Sequence, residues 1–218
     1  MIERFIQALS VADAMNEDLA GTRERLKDRF PRGATRRMTQ LGLLIGGVLD
    51  DLAPRADDTV VYASAYAESR ALEGYLDSFP SASPTLFQTS IHPSAVQQAL
   101  INRQHPVGEF FPMTGRAQLV AHAVEASLLS PAPRVLLCGG EERGGWLLER
   151  NAASAHSFAF GLALTSDPAN AIGRLALTPI SDGTSAELTL PDFFAAVVAR
   201  RPIDAPARPG ARLTLQWL

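Results

Sequence analysis

Few side chains in this sequence could carry nucleophilic or metal chemistry. The one cysteine, Cys138, lies in the apolar run VLLC, where a thiol behaves as a small inert hydrophobe. The four histidines have no metal-ligand spacing, so neither a metal site nor a cofactor is expected. The glycine pairs precede no Gly-Lys-Ser/Thr, and no Gly-x-Ser-x-Gly occurs, which argues against a phosphate loop and a hydrolase elbow. Thr114 and His92 remain as candidate reactive groups.

Thr114 stands where a short apolar strand meets a helical pattern. Phe110, Phe111 and Met113 belong to the strand, and apolar positions wrap most of the helix predicted over 116–129. The prolines of 130–133 end that helix, because proline cannot continue it. An all-apolar strand at 135–138 follows, of the kind buried in parallel sheets. These segments predict one βαβ unit.

This unit resembles the nucleophile elbow of the β-ketoacyl synthases, which have the thiolase-like fold. In that family the strand after the elbow helix ends in Gly-Gly followed by an acidic residue, as Gly139-Gly140 and Glu142 do here. Counting back by the family's helix length places the nucleophile at Thr114, and neither Met113 nor Gly115 is a cysteine. The resemblance therefore implies the fold without the catalytic thiolate.

A second segment, SPTLFQTSIHP at 83–93, narrows the resemblance. The short stand-alone synthase-like proteins of aryl-polyene pigment biosynthesis carry a pattern of the type SPTxFSxSxHN. This chain keeps six residues of that pattern and has Pro93 in place of its asparagine; the six are Ser83, Pro84, Thr85, Phe87, Ser90 and His92. The segment is predicted to be extended. His92 is a candidate general base, or else it orders the turn by hydrogen bonding to the backbone.

The remaining elements favour one α/β domain over 1–218. We expect half of a thiolase-like fold: a mixed, mostly parallel sheet with one buried helix and helices on its faces. The resemblance is strongest over 36–178, with helices at 36–52 and 65–79 and strands at 59–64, 157–164 and 174–177. A closing helix, a loose connection at 205–210 and an edge strand at 212–218 are predicted for 179–218. The part of a synthase that supplies its two catalytic histidines has no counterpart in this sequence.

Charge and composition exclude several other classes. The net charge of −3 gives no reason to expect nucleic acid or an anionic membrane, and the basic clusters of 16–37 are typical of a solvated face. No stretch is long and apolar enough to predict a membrane span, and the N-terminus does not resemble a signal peptide. With a single cysteine, a cytoplasmic protein is expected.

The resemblance implies a non-catalytic, chain-length-factor-like partner of a separate, full-length ketosynthase, in contact with an acyl carrier protein through that complex. Synthases pair through the strand before the elbow, which implies a dimer interface at Val107, Glu109, Phe110 and Phe111. The residues implied to form the floor of the partner's acyl tunnel, and so to set chain length, are Leu86, Phe87, Phe110, Phe111 and Met113. The alternatives are an independent, homodimeric acyl hydrolase or transferase that uses Thr114 or His92, and a plain module that binds an acyl group or a carrier protein.

Overall fold

The computed structural model describes residues 1–181 and 188–218. Its strands are β1 (Ile2–Asp13), β2 (Thr59–Ser64), β3 (Glu109–Thr114), β4 (Arg134–Glu141), β5 (Phe158–Thr165), β6 (Gly173–Pro179), β7 (Ile203–Arg208) and β8 (Ala211–Trp217). Its α-helices are α1 (Leu19–Leu26), α2 (Gln40–Leu52), α3 (Ser69–Asp77), α4 (Pro84–Ser90), α5 (Ser94–Arg103), α6 (Leu119–Leu129), α7 (Trp146–Glu149) and α8 (Leu190–Val198). The predicted βαβ unit is β3, α6 and β4, and the strand predicted at 59–64 has the bounds of β2.

All of these strands form one sheet in the order β3-β2-β4-β5-β1-β6-β8-β7. The predicted mixed α/β architecture is confirmed, but the expectation of a mostly parallel sheet is wrong for the described strands. Strand β2 is parallel to β3 and β4, whereas the other five pairings are antiparallel. One reason is that β1 lies between β5 and β6 and runs opposite to both. Another is that β7 and β8 are joined by two residues, a connection too short for parallel strands.

Helices cover both faces of the sheet and create two apolar cores. On one face α6 and α8 pack against the strands, with Phe160 and Phe193 in ring contact at 5.3 Å between centroids. On the other face α1, α2 and α5 pack against β2, β4 and β5. Helix α6 is buried along most of its length, as its apolar pattern predicted. It begins only at Leu119, because Gln118 has a positive φ of 58°.

Two segments form elements other than those predicted. The Thr-Leu-Phe segment at 85–87, predicted to be extended, is part of α4: Ser83 accepts a hydrogen bond from the Leu86 N–H and Pro84 occupies the first turn. A serine N-cap before a first-turn proline is itself a helix-start signal, so the prediction of an extended segment is wrong here. The connection predicted at 205–210 is mostly strand β7, so β7 forms the edge and β8 lies inside the sheet. Helix α2 starts at Gln40 rather than at 36, where Thr39 caps it by accepting from the Gly42 N–H.

No helix in the described part of the chain is both long and apolar enough to cross a membrane.

Candidate functional site

Thr114 occupies the predicted position, at the end of β3 and ahead of α6. Its side chain is exposed, and Gly115 beside it has a φ of 135°, a conformation that favours glycine. Among the described residues no side chain hydrogen-bonds to the Thr114 hydroxyl. A threonine needs an adjacent base to become a nucleophile, because its hydroxyl ionises far above neutral pH. The arrangement at Thr114 therefore offers a turn and no activated nucleophile.

The glycine pair that ends β4 is required by packing. A Cβ on Gly139 would lie 2.7 Å from the Phe160 ring, and one on Gly140 would lie 2.6 Å from the Phe158 carbonyl oxygen. Both distances are below any normal contact, so no larger residue fits without movement of the neighbouring strand β5. The Gly-Gly signature therefore marks the close pairing of β4 with β5.

The two acidic residues after the glycines hold neighbouring segments in place. Glu141 accepts hydrogen bonds from the backbone N–H groups of Ala65 at 2.5 Å and Tyr66 at 3.1 Å. Glu142 accepts from the backbone N–H of Gln40 at 3.1 Å and of Arg70 at 3.2 Å, in the first turns of α2 and α3. Burial raises the pKa of each carboxyl to about 7, although these N–H donors act in the opposite direction. Both side chains serve as buried helix and turn caps.

Cys138 is inert, as its sequence context predicted. It is fully buried in β4, and burial raises the pKa of its thiol to about 12. A thiol that stays protonated at neutral pH is neither a nucleophile nor a ready metal ligand. Within the described residues there is no cluster of three or more histidine, cysteine or acidic side chains that could hold a metal.

His92 lies in a buried polar cluster whose other members the sequence did not indicate. Its ring stacks on that of Tyr62, with centroids 5.2 Å apart, and its Nδ1 is 3.8 Å from Oε2 of Glu68. The predicted hydrogen bond from His92 to the backbone is wrong: neither ring nitrogen has a partner among the described residues. Instead Glu68 ties the segment down by accepting from the Ala95 N–H of α5 at 2.7 Å. The single signal in the sequence was Tyr62, which stands between the apolar residues Val61 and Ala63 of β2.

Of the residues predicted to form the dimer interface, Glu109, Phe110 and Phe111 lie on a strand at the open edge of the described sheet, whereas Val107 precedes that strand and packs partly against the core of α2 and α5. Strand β3 is the first strand in the sheet order, and each of its side chains is exposed or half-buried. Phe111 is 46% exposed. Phe110 packs partly against the core of α2 and α5, whereas Met113 packs partly against the core of α6 and α8. The two therefore point to opposite faces of the sheet.

Leu86 and Phe87 are brought to a different surface, on the hairpin of α3 and α4. Leu86 is half-buried, and Phe87 is 48% exposed with its ring 5.3 Å from that of Tyr75. The Phe79 ring is also 5.4 Å from that of Tyr75 between centroids, and Phe79 is 57% exposed. Further exposed apolar side chains on this hairpin and just after it are Leu72, Leu76 and Ile91. The hairpin thus presents an aromatic and aliphatic surface to solvent.

A groove rich in arginine lies beside this hairpin. Arg32, Arg36 and Arg37 line a cavity of about 560 Å³ that α4 and α5 border on its other side, and none of the described residues that line it is acidic. A neighbouring cavity of about 900 Å³ shares Arg36 and Arg37, and its lining is of mixed charge: it adds Arg23, Arg70 and Arg143 but also Glu17, Asp18 and Glu142. None of Arg32, Arg36 and Arg37 forms an ion pair with a described residue. We call the cavity lined by Arg32, Arg36 and Arg37 the arginine groove. The sequence showed these charges but not that they converge on α4.

No protein-family model and no curated protein matches the sequence. Solved structures do match. A chain in the structure of the ketosynthase ApeO in complex with its chain length factor ApeC from Xenorhabdus doucetiae aligns with 99% of this chain and 100% of its own length, at a TM-score of 0.63 and 17% identity. For a β-ketoacyl synthase from Burkholderia phymatum the shares are 84% and 65%, the TM-score is 0.59 and the identity is 13%. For a chain in the complex of a type II polyketide acyl carrier protein with its ketosynthase, the shares are 100% and 100%, the TM-score is 0.58 and the identity is 8%.

These similarities extend over most or all of the chain. Because the sequence identities are low, they show the fold and nothing further. They agree with the geometry of the site: one mixed sheet, a buried helix between β3 and β4, and a Gly-Gly turn against β5. The chain therefore has the thiolase-like fold of the ketosynthases and their chain length factors.

Proposed function

We propose that this protein is a non-catalytic, chain-length-factor-like partner of a separate ketosynthase, in the biosynthesis of an aryl-polyene type of acyl chain in the cytoplasm. One observation carries the proposal: β3 is an open edge of the sheet, with Phe111 46% exposed. The resemblance to the synthases implies that pairing would occur at this strand. A free strand edge beside exposed aromatic side chains is a liability for an isolated chain and is normally covered. A ketosynthase strand that pairs with β3 would cover it.

The proposed role for the hairpin of α3 and α4 is to reach into the partner. Phe87 and Leu86 stand on the short helix α4, which packs mainly on α3, and Phe87 is 48% exposed. An exposed aromatic side chain of this kind can fill a pocket in another subunit. In the proposed complex Leu86 and Phe87 form part of the floor of the acyl tunnel, and their bulk limits the chain that fits, since dense apolar packing resists overfilling.

The arginine groove is the proposed contact for the acyl carrier protein. Guanidinium groups bind carboxylate and phosphate with two parallel hydrogen bonds, and they do so best where no internal carboxylate competes. A carrier protein presents both kinds of anion, since its acyl chain is carried on a phosphate-bearing arm. The chain as a whole has a net charge of −3, so three converging arginines that pair with no described carboxylate are a local feature that an anionic partner would neutralise.

The test of the proposed function is co-expression with a full-length ketosynthase from the same organism. We expect one complex with one copy of each chain, measured by native mass spectrometry, and product formation only when both chains and a loaded carrier protein are present. A ketosynthase that is equally active without this chain, or two chains that never co-purify, would refute the proposal.

Replacing Thr114 by alanine is expected to leave product formation by the complex within about tenfold of wild type, which corresponds to about 1.4 kcal/mol. The reason is that the Thr114 hydroxyl is exposed and has no base beside it. The measurement is the turnover of acyl-carrier substrate, compared between the complex with the wild-type chain and the complex with the variant. A larger loss with an unchanged complex mass would favour the rival, an acyl hydrolase or transferase that uses Thr114 as nucleophile.

Reversing charge in the arginine groove, with Arg36→Glu and Arg37→Glu together, should weaken the response to carrier protein without breaking the heterodimer. We expect the apparent KM for the loaded carrier protein to rise by about tenfold or more, because like charges would replace two attractive contacts. Arg201→Glu, an exposed arginine after α8, is the matched control. An unchanged KM in the double variant would remove the groove from the carrier-protein contact.

A further inference from the structure

We propose that Pro112 makes the free edge of β3 suited to a strand of a different protein and unsuited to a second copy of this chain. Proline has no N–H, and it is the fourth residue of this six-residue edge strand. This proposal rests on the proposed function only in naming a ketosynthase as the different protein. The choice between self and non-self follows from the backbone alone.

The main-chain nitrogen of Pro112 must face away from the sheet. The parallel register between β2 and β3 runs without a shift from Thr59 opposite Glu109 to Ser64 opposite Thr114, and it includes Tyr62 opposite Pro112. A proline whose nitrogen faced β2 would remove a ladder hydrogen bond, so edge strands place it with the nitrogen outward. The Glu109 N–H donates to the Asp58 carbonyl oxygen at 3.4 Å, so Glu109 and the alternate residues after it face β2 and Pro112 faces away.

This orientation determines which backbone groups the edge offers. Since backbone groups alternate sides along a strand, Phe110, Pro112 and Thr114 direct theirs to the free edge, and the residues between them bond to β2. The edge therefore carries three outward carbonyl oxygens but only two outward N–H groups, those of Phe110 and Thr114. One acceptor in the middle of the strand has no donor beside it.

In an antiparallel pair, two edge-facing residues that stand opposite each other exchange two hydrogen bonds. If two copies of β3 pair so that each Pro112 meets an edge-facing residue, each copy lacks one donor and two bonds are lost. In the register that uses all three positions, the two Pro112 residues stand opposite each other and their carbonyl oxygens meet with no donor between them. A partner strand without proline loses only one bond. Pairing with a different chain is therefore favoured over pairing with itself.

The experiment measures self-association of this chain alone by sedimentation velocity over a concentration series. Pro112→Ala restores the outward N–H and should tighten self-association by about tenfold or more, because two hydrogen bonds are gained per dimer. Pro106→Ala, which removes an exposed proline outside the strand, is the matched control and should match wild type. The double variant Pro112→Ala with Phe111→Asp should return to the wild-type constant, which would place the new contact at β3. Circular dichroism verifies that each variant is folded.

Two results would overturn the inference: a Pro112→Ala chain that associates no more tightly than the Pro106→Ala control, or a wild-type dimer that Phe111→Asp dissociates. A misfolded Pro112→Ala chain is replaced by Pro112→Val, which restores the same N–H with a residue that favours strands. The self-association experiment contains no ketosynthase, so it can refute the role of Pro112 without refuting the proposed heterodimer. Conversely, the proposed heterodimer could be refuted by co-expression while the wild-type chain still shows no self-association.

Discussion

Replacing Phe111 by aspartate is expected to abolish the pairing of this chain with its ketosynthase. In the isolated chain Phe111 is already 46% exposed on the edge strand β3, so the substitution costs the monomer little. In the complex it removes buried apolar area and places a carboxylate in an apolar contact, a combined loss of about 3 kcal/mol or more. This corresponds to a dissociation constant that rises by about 100-fold or more.

The measurement is the dissociation constant of the two purified chains, by calorimetry or by light scattering. Val198→Asp is the matched control, since Val198 is 49% exposed at the end of α8 and belongs to neither proposed contact. If Phe111→Asp and Val198→Asp bind the ketosynthase equally well, β3 is not the interface. Loss of binding in both variants would point to a general effect of added charge.

Replacing Phe87 by alanine is expected to lengthen the acyl products by one or more extension units. The side chain is 48% exposed in this chain, so its removal should cost the isolated protein well below the roughly 3–5 kcal/mol of a core phenylalanine. In the complex the same removal would leave space at the tunnel floor for added carbon atoms. Product lengths from the variant complex, measured by mass spectrometry of the released chains, test this.

Phe79→Ala is the matched control for Phe87→Ala, because both rings contact Tyr75 and both are about half exposed or more. Only the change in α4, at Phe87 or at Leu86, should alter chain length. If Leu86→Ala and Phe87→Ala complexes are stable and give wild-type product lengths, these side chains are ordinary packing. A thermal unfolding curve of each complex distinguishes a longer acyl tunnel, which leaves the stability of the complex unchanged, from a weakened interface, which lowers it.

The sequence by itself determined the local elements whose signals are short-range. The bounds of β2 and the βαβ order of β3, α6 and β4 could be predicted because apolar runs, prolines and glycines act within a few residues. The lack of a cysteine at the elbow and the inert character of Cys138 could also be predicted, since both follow from residue identity and an apolar neighbourhood. Helix α4 could also have been predicted, because Ser83 and Pro84 are typical of a helix start.

Only the tertiary structure decided which distant segments meet. Strand β1 could not be told from a helix by its spacing; it joins the sheet because β5 and β6 offer it two antiparallel partners. Glu68 reaches His92 and Ala95 across 24 to 27 positions of the chain. The arginine groove forms because residues 32–37 fold against α4 and α5. Such contacts depend on burial and long-range pairing, which no local pattern encodes, so the surfaces proposed for the ketosynthase and the carrier protein are properties of the fold.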